Sequence, residues 1–348
     1  MPSVPSWQRG EIKPVTAQSA APAQPRRRGS WLSQERVVLL VTLLLAVVFA
    51  IGLPGFATLG NLVAMARSVS ILGILAIAMS IVVIGRGLDL SLIATMSVSS
   101  ALSLQLMQQG WATPAALAIA LAFAAAIGVA NGFIIAFVEV PALFATLATG
   151  FMIFGLGRVL LLKGVITYLP LSATGFAWIG QGRILGVPAI VAAFLVTALV
   201  VHLLLSRTSF GRFVYAHGDN AEAARLTGIS VRKLTMLEYA AASVIGFLAG
   251  LMMAAATASM NTQIINSTLI FDVILVVVLG GVSLVGGRGS IFSVLVGTAL
   301  IGTLLNGMTI LNLNNNLQDI VKGVVLLAAI ILDNRLHPRD EETARQGD

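Results

Sequence analysis

The residues that could carry chemistry are few and scattered along a 348-residue chain. The three histidines, His202, His217 and His337, lack the spacing of metal ligands, and the absence of cysteine excludes thiolate sites and disulfides. None of the four lysines completes the G-x-x-x-x-G-K-[ST] loop that holds ATP phosphates. The sequence therefore predicts no metal, no cofactor and no catalytic centre.

One short segment, residues 217–233, concentrates polar groups. Its sequence, HGDNAEAARLTGISVRK, carries two acids, three bases and a histidine, although the chain as a whole is only 10% charged. Either Asp219 or Asn220 can act as an N-cap, and Glu222 then stands in the first turn, where the helix dipole favours an acid. Gly228 is a natural C-terminal stop. The segment predicts a helix of about two to three turns.

A helix this short is marginal alone in water, so it needs a surface to pack against. The small side chains of Ala223 and Ala224 permit close approach, and Glu222 and Arg225 can make charge-assisted hydrogen bonds. Two interpretations remain open at this point. The segment is either an amphipathic helix on the lipid headgroups or a docking element for a cytoplasmic partner.

Polar residues inside apolar runs form the second set of candidates. A carboxylate at membrane depth, as at Asp89, costs free energy and usually marks function. Asp89 can equally cap a helix that begins at Leu90, assisted by Ser91. The other members can satisfy a neighbouring backbone or join two helices by hydrogen bonds. They are Asn131, Asp272, Asn306 and Lys322.

The elements that must position these residues are apolar helices. The mean hydropathy is +0.96, and long uncharged runs recur along the chain. The pattern predicts an all-α, polytopic integral membrane protein with about ten transmembrane helices, some of them half-helices. The GxxxG pairs Gly128/Gly132 and Gly246/Gly250 either mark helix contacts or arise by chance. The runs cover residues 37–53, 62–84, 88–108, 113–137, 142–162, 187–205, 234–256, 267–284, 290–311 and 315–333.

The net charge of +7 follows the predicted topology rather than a nucleic-acid surface. With both termini in the cytoplasm, the predicted cytoplasmic segments hold 16 of the 21 lysine and arginine residues, as the positive-inside rule requires. We therefore expect a basic, disordered cytoplasmic tail over 1–36 and a transmembrane domain over 37–333. This domain carries a cytoplasmic loop at 206–233, and a cytoplasmic tail covers 334–348. We expect the lipid bilayer to surround the chain and no nucleic acid to bind it.

Several motifs together resemble one family. The segments are GLDLSLIATMSV (87–98), VPALFATLAT (140–149), RTSFGRFVYAHGDNAEAARLTGISVRKL (207–234) and VVLGGVSLVGGRGSIFSVLVGTALIG (277–302). Over residues 60–335 the chain resembles the permease subunit of bacterial ABC importers of the ribose/xylose/galactoside type. The resemblance implies a multi-pass protein of the inner membrane that forms the pathway for a sugar or polyol. It also implies three partners, namely a cytoplasmic ATP-binding cassette subunit, a periplasmic sugar-binding protein and a second permease chain, identical or related.

The resemblance also assigns roles to residues. The E-A-A-x-x-x-G spacing of 222–228 is similar to the loop that couples such permeases to their ATPase. The implied coupling residues are Asp219, Asn220, Glu222, Ala223, Ala224, Arg225 and Gly228. The candidate pathway residues are Asp89, Ser91, Asn131, Phe144, Thr146 and Asn306.

The chain departs from the family pattern at three positions. Ile93 replaces a glycine, Ala94 replaces a serine, and Ile270 stands where an acid often precedes Asp272. The particular sugar therefore stays open. The alternative is an autonomous secondary transporter or channel for a small polar solute. Such a protein needs no docking helix and is expected to bury an ion-coupling carboxylate.

Overall fold

The computed structural model describes residues 34–336, so most of both predicted tails lies outside the described residues. The first helix begins at Gln34, inside the segment assigned to the N-terminal tail, and the last helix continues to Leu336. Below, the end of the molecule that contains residues 206–233 is called the inner end and the opposite end the outer end, following the predicted orientation.

Helices account for nearly all of the described chain, which confirms the all-α class. Each of the ten predicted apolar runs corresponds to one helix. The helices are α1 (Gln34–Gly52), α2 (Leu59–Ile84), α3 (Leu92–Gln108), α4 (Thr113–Phe137), α5 (Ala142–Leu156, continued by a π-helical turn, Gly157–Leu161), α6 (Thr174–Gln181), α7 (Ala189–Arg207), α8 (Ser209–Asp219), α9 (Ala221–Leu226), α10 (Val231–Thr257), α11 (Leu269–Gly280), α12 (Ile291–Ile310) and α13 (Asn315–Leu336).

Within the described residues, seven helices are long and apolar enough to cross a bilayer: α1, α2, α4, α5 with its π-helical turn, α7, α10 and α12. Two more apolar helices, α3 and α11, have 17 and 12 residues and are too short for a full span. They match the expectation that some runs form half-helices. The first two turns of α13 are polar, with Asp319 and Lys322 among their residues.

Short strands occur only in the connections at the outer end. β1 (Ile166–Tyr168) pairs antiparallel with β4 (Ser259–Asn261), and β2 (Arg183–Ile184) pairs with β3 (Val187–Pro188) in a hairpin. The first pair joins the connection after α5 to the end of α10. It therefore ties two distant parts of the sequence together at this surface.

The core is built around α2 and α10. The inner half of α2 is fully enclosed, with side chains from Ile74 to Ile84 buried. α10 packs along α4, where a Cβ at Gly128 or Gly132 would strike the α10 backbone at Tyr239 and Met236. This pair of glycines is therefore confirmed as a close helix contact.

Two non-helical stretches meet at the inner end of the core. Residues 85–91 separate α2 from α3, and residues 281–290 separate α11 from α12. The Gly287 amide donates to the Ile84 carbonyl at 2.8 Å, and Arg86 Nε donates to the Val285 carbonyl at 2.9 Å. The 281–290 stretch thus supplies a donor for a free carbonyl at the end of α2, and the 85–91 stretch supplies a donor for a carbonyl of the 281–290 stretch.

Candidate functional site

The break between α2 and α3 is held by a buried hydrogen-bond network around Asp89. This side chain is fully enclosed, and its Oδ1 accepts from the Ser91 amide at 2.9 Å and from Ser91 Oγ at 2.6 Å. Asn131 on α4 donates from Nδ2 to Ser91 Oγ at 2.7 Å. Asp89 therefore fixes a local turn, and α4 supports that turn from the side.

Two further helices hold the same stretch. The Leu90 amide donates to Thr146 Oγ1 of α5 at 3.1 Å, and Tyr239 Oη of α10 donates to the Leu88 carbonyl at 3.3 Å. The space beside the break is filled closely, because a Cβ at Gly85 would meet the Glu238 carboxylate. Broken backbone is tolerated at membrane depth only where protein groups satisfy it, and α4, α5 and α10 do so here.

The structure brings together four of the six candidate pathway residues, namely Asp89, Ser91, Asn131 and Thr146. α3 begins at Leu92, two residues later than predicted, because Asp89 closes its turn on the Ser91 amide. Asp89 Oδ2 and Asn131 Oδ1 are buried and have no hydrogen-bond partner among the described residues. The network therefore mainly fixes the backbone of the turn between α2 and α3, and two of its acceptor atoms have no hydrogen-bond partner among the described residues.

The other two candidates lie elsewhere. Phe144 is 62% exposed on α5 and faces away from this chain's core. Its pathway role stays a prediction that requires a second chain beside α5. Asn306 lies on α12 near the outer end, where its side chain and that of Asn61 donate to each other at 2.9 Å. Sequence reasoning missed Asn61 and Tyr239, since their partners are distant in sequence.

At the inner end, the helix predicted within 219–228 is α9, and a further helix that was not predicted, α8, directly precedes it. α8 ends at Asp219, and α9 has six residues, from Ala221 to Leu226. Asn220 between them is extended, and its Oδ1 accepts from the Glu222 amide at 3.0 Å and the Ala223 amide at 2.9 Å. Of the two proposed caps, Asn220 is therefore the one used, and α9 is shorter than expected.

The exposed side of α9 carries three of the seven candidate coupling residues. Glu222, Ala223 and Arg225 are exposed, whereas Ala224 packs inward with 4% exposure. Leu226 is 86% exposed, an apolar group that the sequence analysis did not single out. Gly228 follows in the left-handed region with φ +86°, which ends the helix at no steric cost.

In contrast to α9, α8 is packed into the core. His217 Nδ1 lies 3.3 Å from Glu238 Oε1 of α10, and both side chains are buried. Gly218 lies so close to the Ile84 carbonyl and the Gly287 backbone that a Cβ would collide with both. Tyr215 Oη donates to the Gly289 carbonyl at 2.8 Å, and burial raises the pKa of this phenol. α8 therefore contacts α2, α10 and the 281–290 loop at once.

An ion-pair cluster joins α11 and α13 near the outer end. Lys322 Nζ lies 3.0 Å from Asp272 Oδ1, 2.9 Å from Asp319 Oδ1 and 2.8 Å from Thr268 Oγ1. Lys322 is thus shared by two carboxylates, and the three ionised groups together carry one net negative charge. Among the described residues, no group of three or more His, Asp or Glu side chains is placed to hold a metal ion.

A polytopic helical domain with a buried polar turn between two helices and a short helix exposed at one end fits a membrane transport protein. Comparison with known families gives the particular class. The chain belongs to the permease family described as "Branched-chain amino acid transport system / permease component", whose model matches residues 61–330. The protein is therefore a multi-pass permease of the bacterial inner membrane.

The curated relatives of the chain are permeases named for sugars. It is 34% identical to the ribose import permease protein RbsC of Escherichia coli K12 over 307 residues, 88% of this chain and 95% of the relative. The Bacillus subtilis RbsC is 34% identical over 84% of this chain and 90% of the relative. The L-arabinose transport system permease protein AraH of E. coli K12 is 33% identical over 85% and 89%, respectively. No solved structure matches the chain significantly.

Proposed function

We propose that the protein forms the transmembrane pathway of an ABC importer for a monosaccharide or a related polyol. The observation that carries this proposal is the match to ribose and arabinose permeases, which extends over more than four fifths of the chain. The matched range includes the turn between α2 and α3 and the polar segment 217–233. The sequence contains no ATP-binding lysine loop, so the energy comes from a separate ATPase subunit.

The geometry of α8 and α9 supports a coupling role for this segment. α9 presents Glu222, Ala223 and Arg225 to the outside, and a single residue, Asn220, separates it from the packed helix α8. When a partner displaces α9, α8 must therefore move with it, because only one connecting residue lies between the two helices. From α8 the displacement reaches Glu238, Ile84 and the Asp89 turn through contacts described above. We infer that α9 sits in a groove of the ATPase.

The competing interpretation, a helix resting on lipid headgroups, makes a different prediction. Ala223→Trp on the exposed side should weaken binding of the ATPase subunit while the purified permease keeps its thermal stability. Ala224→Trp is the matched control, because residue 224 is buried and the added ring should destabilise the permease itself. Normal ATPase binding and normal substrate-stimulated hydrolysis in the Ala223→Trp variant would contradict the coupling role.

Two further partners complete the proposed importer. A periplasmic sugar-binding protein delivers the solute to the outer end. A second permease chain, identical or related, packs against this one. The exposed apolar side chains of α5, which include Leu143, Phe144 and Phe151, support a place for that chain or for lipid.

The substrate class is tested by comparing the uptake of sugars with the uptake of a branched-chain amino acid. The family description names branched-chain amino acids, whereas the relatives are named for ribose and L-arabinose. The importer, reconstituted with its ATPase and binding protein, should take up labelled D-ribose or L-arabinose and exclude L-leucine. Uptake should stop when the ATPase is inactivated. Uptake of leucine alone contradicts the sugar assignment, and uptake driven by an ion gradient without ATP supports the secondary-transporter alternative.

A further inference from the structure

A cavity with a volume of about 530 Å³ opens near the outer end of the molecule. It lies between α2, α11 and α12, with Met253 of α10 contributing to one wall. Its inner limit is set by Leu72 of α2 and by Gly302 of α12, where α12 lies directly against Val69. Beyond that limit α2 is fully buried, so the cavity ends inside the membrane domain.

The cavity contains amide groups that can change partners. Asn61 and Asn306 lie side by side on its wall and exchange two hydrogen bonds of 2.9 Å, each amide acting once as donor and once as acceptor. Asn61 Nδ2 also donates to the Phe56 carbonyl at 2.8 Å. Both amides are only partly buried, so a solute in the cavity can reach them. A hydroxyl group can replace either partner, since it both donates and accepts.

The charged group on the wall already has a partner. Asp272 lines the cavity, and Lys322 Nζ lies 3.0 Å from its Oδ1 and 3.3 Å from its Oδ2. A carboxylate has about four acceptor sites, so one ammonium group leaves others free for hydroxyl donors. An anionic ligand, in contrast, would find no lysine or arginine among the residues that line the cavity. Ser68 and Thr309 add two hydroxyl groups, and the remaining lining is mainly aliphatic.

We propose that this cavity is a binding site for a neutral monosaccharide or polyol, with the Asn61/Asn306 amides and the Asp272 carboxylate as its principal polar contacts. The proposal rests on the proposed function and assigns the site within it. The volume lies within the range of small-molecule sites, about 300–1,000 Å³. Neutral donors and acceptors beside aliphatic walls suit the alternating hydroxyl and C–H faces of a sugar. The opening at the outer end is where a periplasmic protein delivers its ligand.

The chain contains no cysteine, so a single introduced thiol reports on the cavity. Ser68→Cys places that thiol on the cavity wall, and Ser267→Cys places it at an exposed position of the outer loop outside this cavity. The complete importer, in proteoliposomes, is treated with a membrane-impermeant maleimide on the side of the binding protein. Uptake of D-ribose and L-arabinose is measured on the same variants.

A transported sugar should slow the labelling of the Ser68→Cys variant several-fold and leave that of the Ser267→Cys variant unchanged. Asn306→Leu, added to Ser68→Cys, should raise the sugar concentration for half-maximal protection roughly five- to tenfold. Asn266→Leu is the matched control, because this asparagine is exposed on the outer loop outside the cavity, and it should leave that concentration unchanged.

Two results would overturn the inference, and they differ in what else they overturn. If the Ser68→Cys importer takes up the sugar but its labelling is not slowed, the solute passes elsewhere and only the cavity assignment fails. An acyl chain filling the cavity would produce this result. If the importer takes up L-leucine and neither ribose nor arabinose, the proposed sugar function fails and the cavity assignment falls with it.

Discussion

The two ends of α2 have opposite surroundings. At the inner end, the Ile84 carbonyl accepts from the Gly287 amide, and Gly218 of α8 packs directly against it. At the outer end, Asn61 and Ser68 line an open cavity. The inner end thus has main-chain contacts with two other elements, α8 and the 281–290 loop, whereas the outer end leaves room for a solute. One helix, α2, therefore joins the proposed coupling region to the proposed sugar cavity.

The strongest test of this contrast uses two glycines of the same loop. Gly218→Ala places a Cβ against the Ile84 carbonyl and the Gly287 backbone, neither of which can rotate away. We expect a loss of about 3 kcal/mol or more in stability. Gly228→Ala meets no atom within 4 Å and costs only the left-handed backbone strain, about 1–2 kcal/mol. Thermal unfolding of the two purified variants gives the comparison, and equal effects would show that the inner end is loosely packed.

The next effect concerns the buried pair between α8 and α10. Glu238→Ala leaves His217 without its partner in a buried position, which should cost roughly 3 kcal/mol. Glu238→Gln keeps an oxygen near His217 Nδ1 and should restore most of that stability. We expect ATP hydrolysis stimulated by the binding protein to follow the same order in reconstituted importers. If alanine and glutamine behave alike, the pair does not connect α8 to the core.

A smaller effect is expected at the turn between α2 and α3. Asp89→Ala removes the acceptor of the Ser91 amide and hydroxyl, both buried, and should cost about 1–3 kcal/mol. Asp89→Asn keeps the accepting oxygen and places its NH₂ where Oδ2 has no partner, so less than about 1 kcal/mol should be lost. Transport by the two variants, corrected for expression, decides between them. Loss of transport in the well-folded asparagine variant would mean that the negative charge is required.

The smallest effect on stability is expected at the outer end. Asn61→Ala breaks the amide pair, but Asn306 then faces the open cavity, where water can replace its partner. We expect thermal stability to change by less than about 1 kcal/mol. A loss as large as that of Glu238→Ala would show that the outer end is packed like the inner end. The midpoint of thermal unfolding of the purified permease is again the measurement.

The sequence predicts local features of this molecule well. Hydropathy located the long helices of the described residues, and short-range rules limited the cap to Asp219 or Asn220 and gave Gly228 as the stop, because these depend on residues a few positions apart. Rules of this kind did not predict α8, whose Gly218 packs against residues of α2 that are distant in sequence. Asn61 and Asn306 are 245 positions apart, so no local pattern predicts their pairing.

The pairing of Asn61 with Asn306 has a kinetic consequence. An incoming molecule must first displace hydrogen bonds that the empty protein already makes with itself. It therefore gains only the difference between the new bonds and the old ones, which keeps its dwell time short. On departure, the two amides rejoin each other and no buried polar group is left unpaired. A membrane conduit gains throughput from such internal competition, because a strongly retained molecule would slow every turnover that follows.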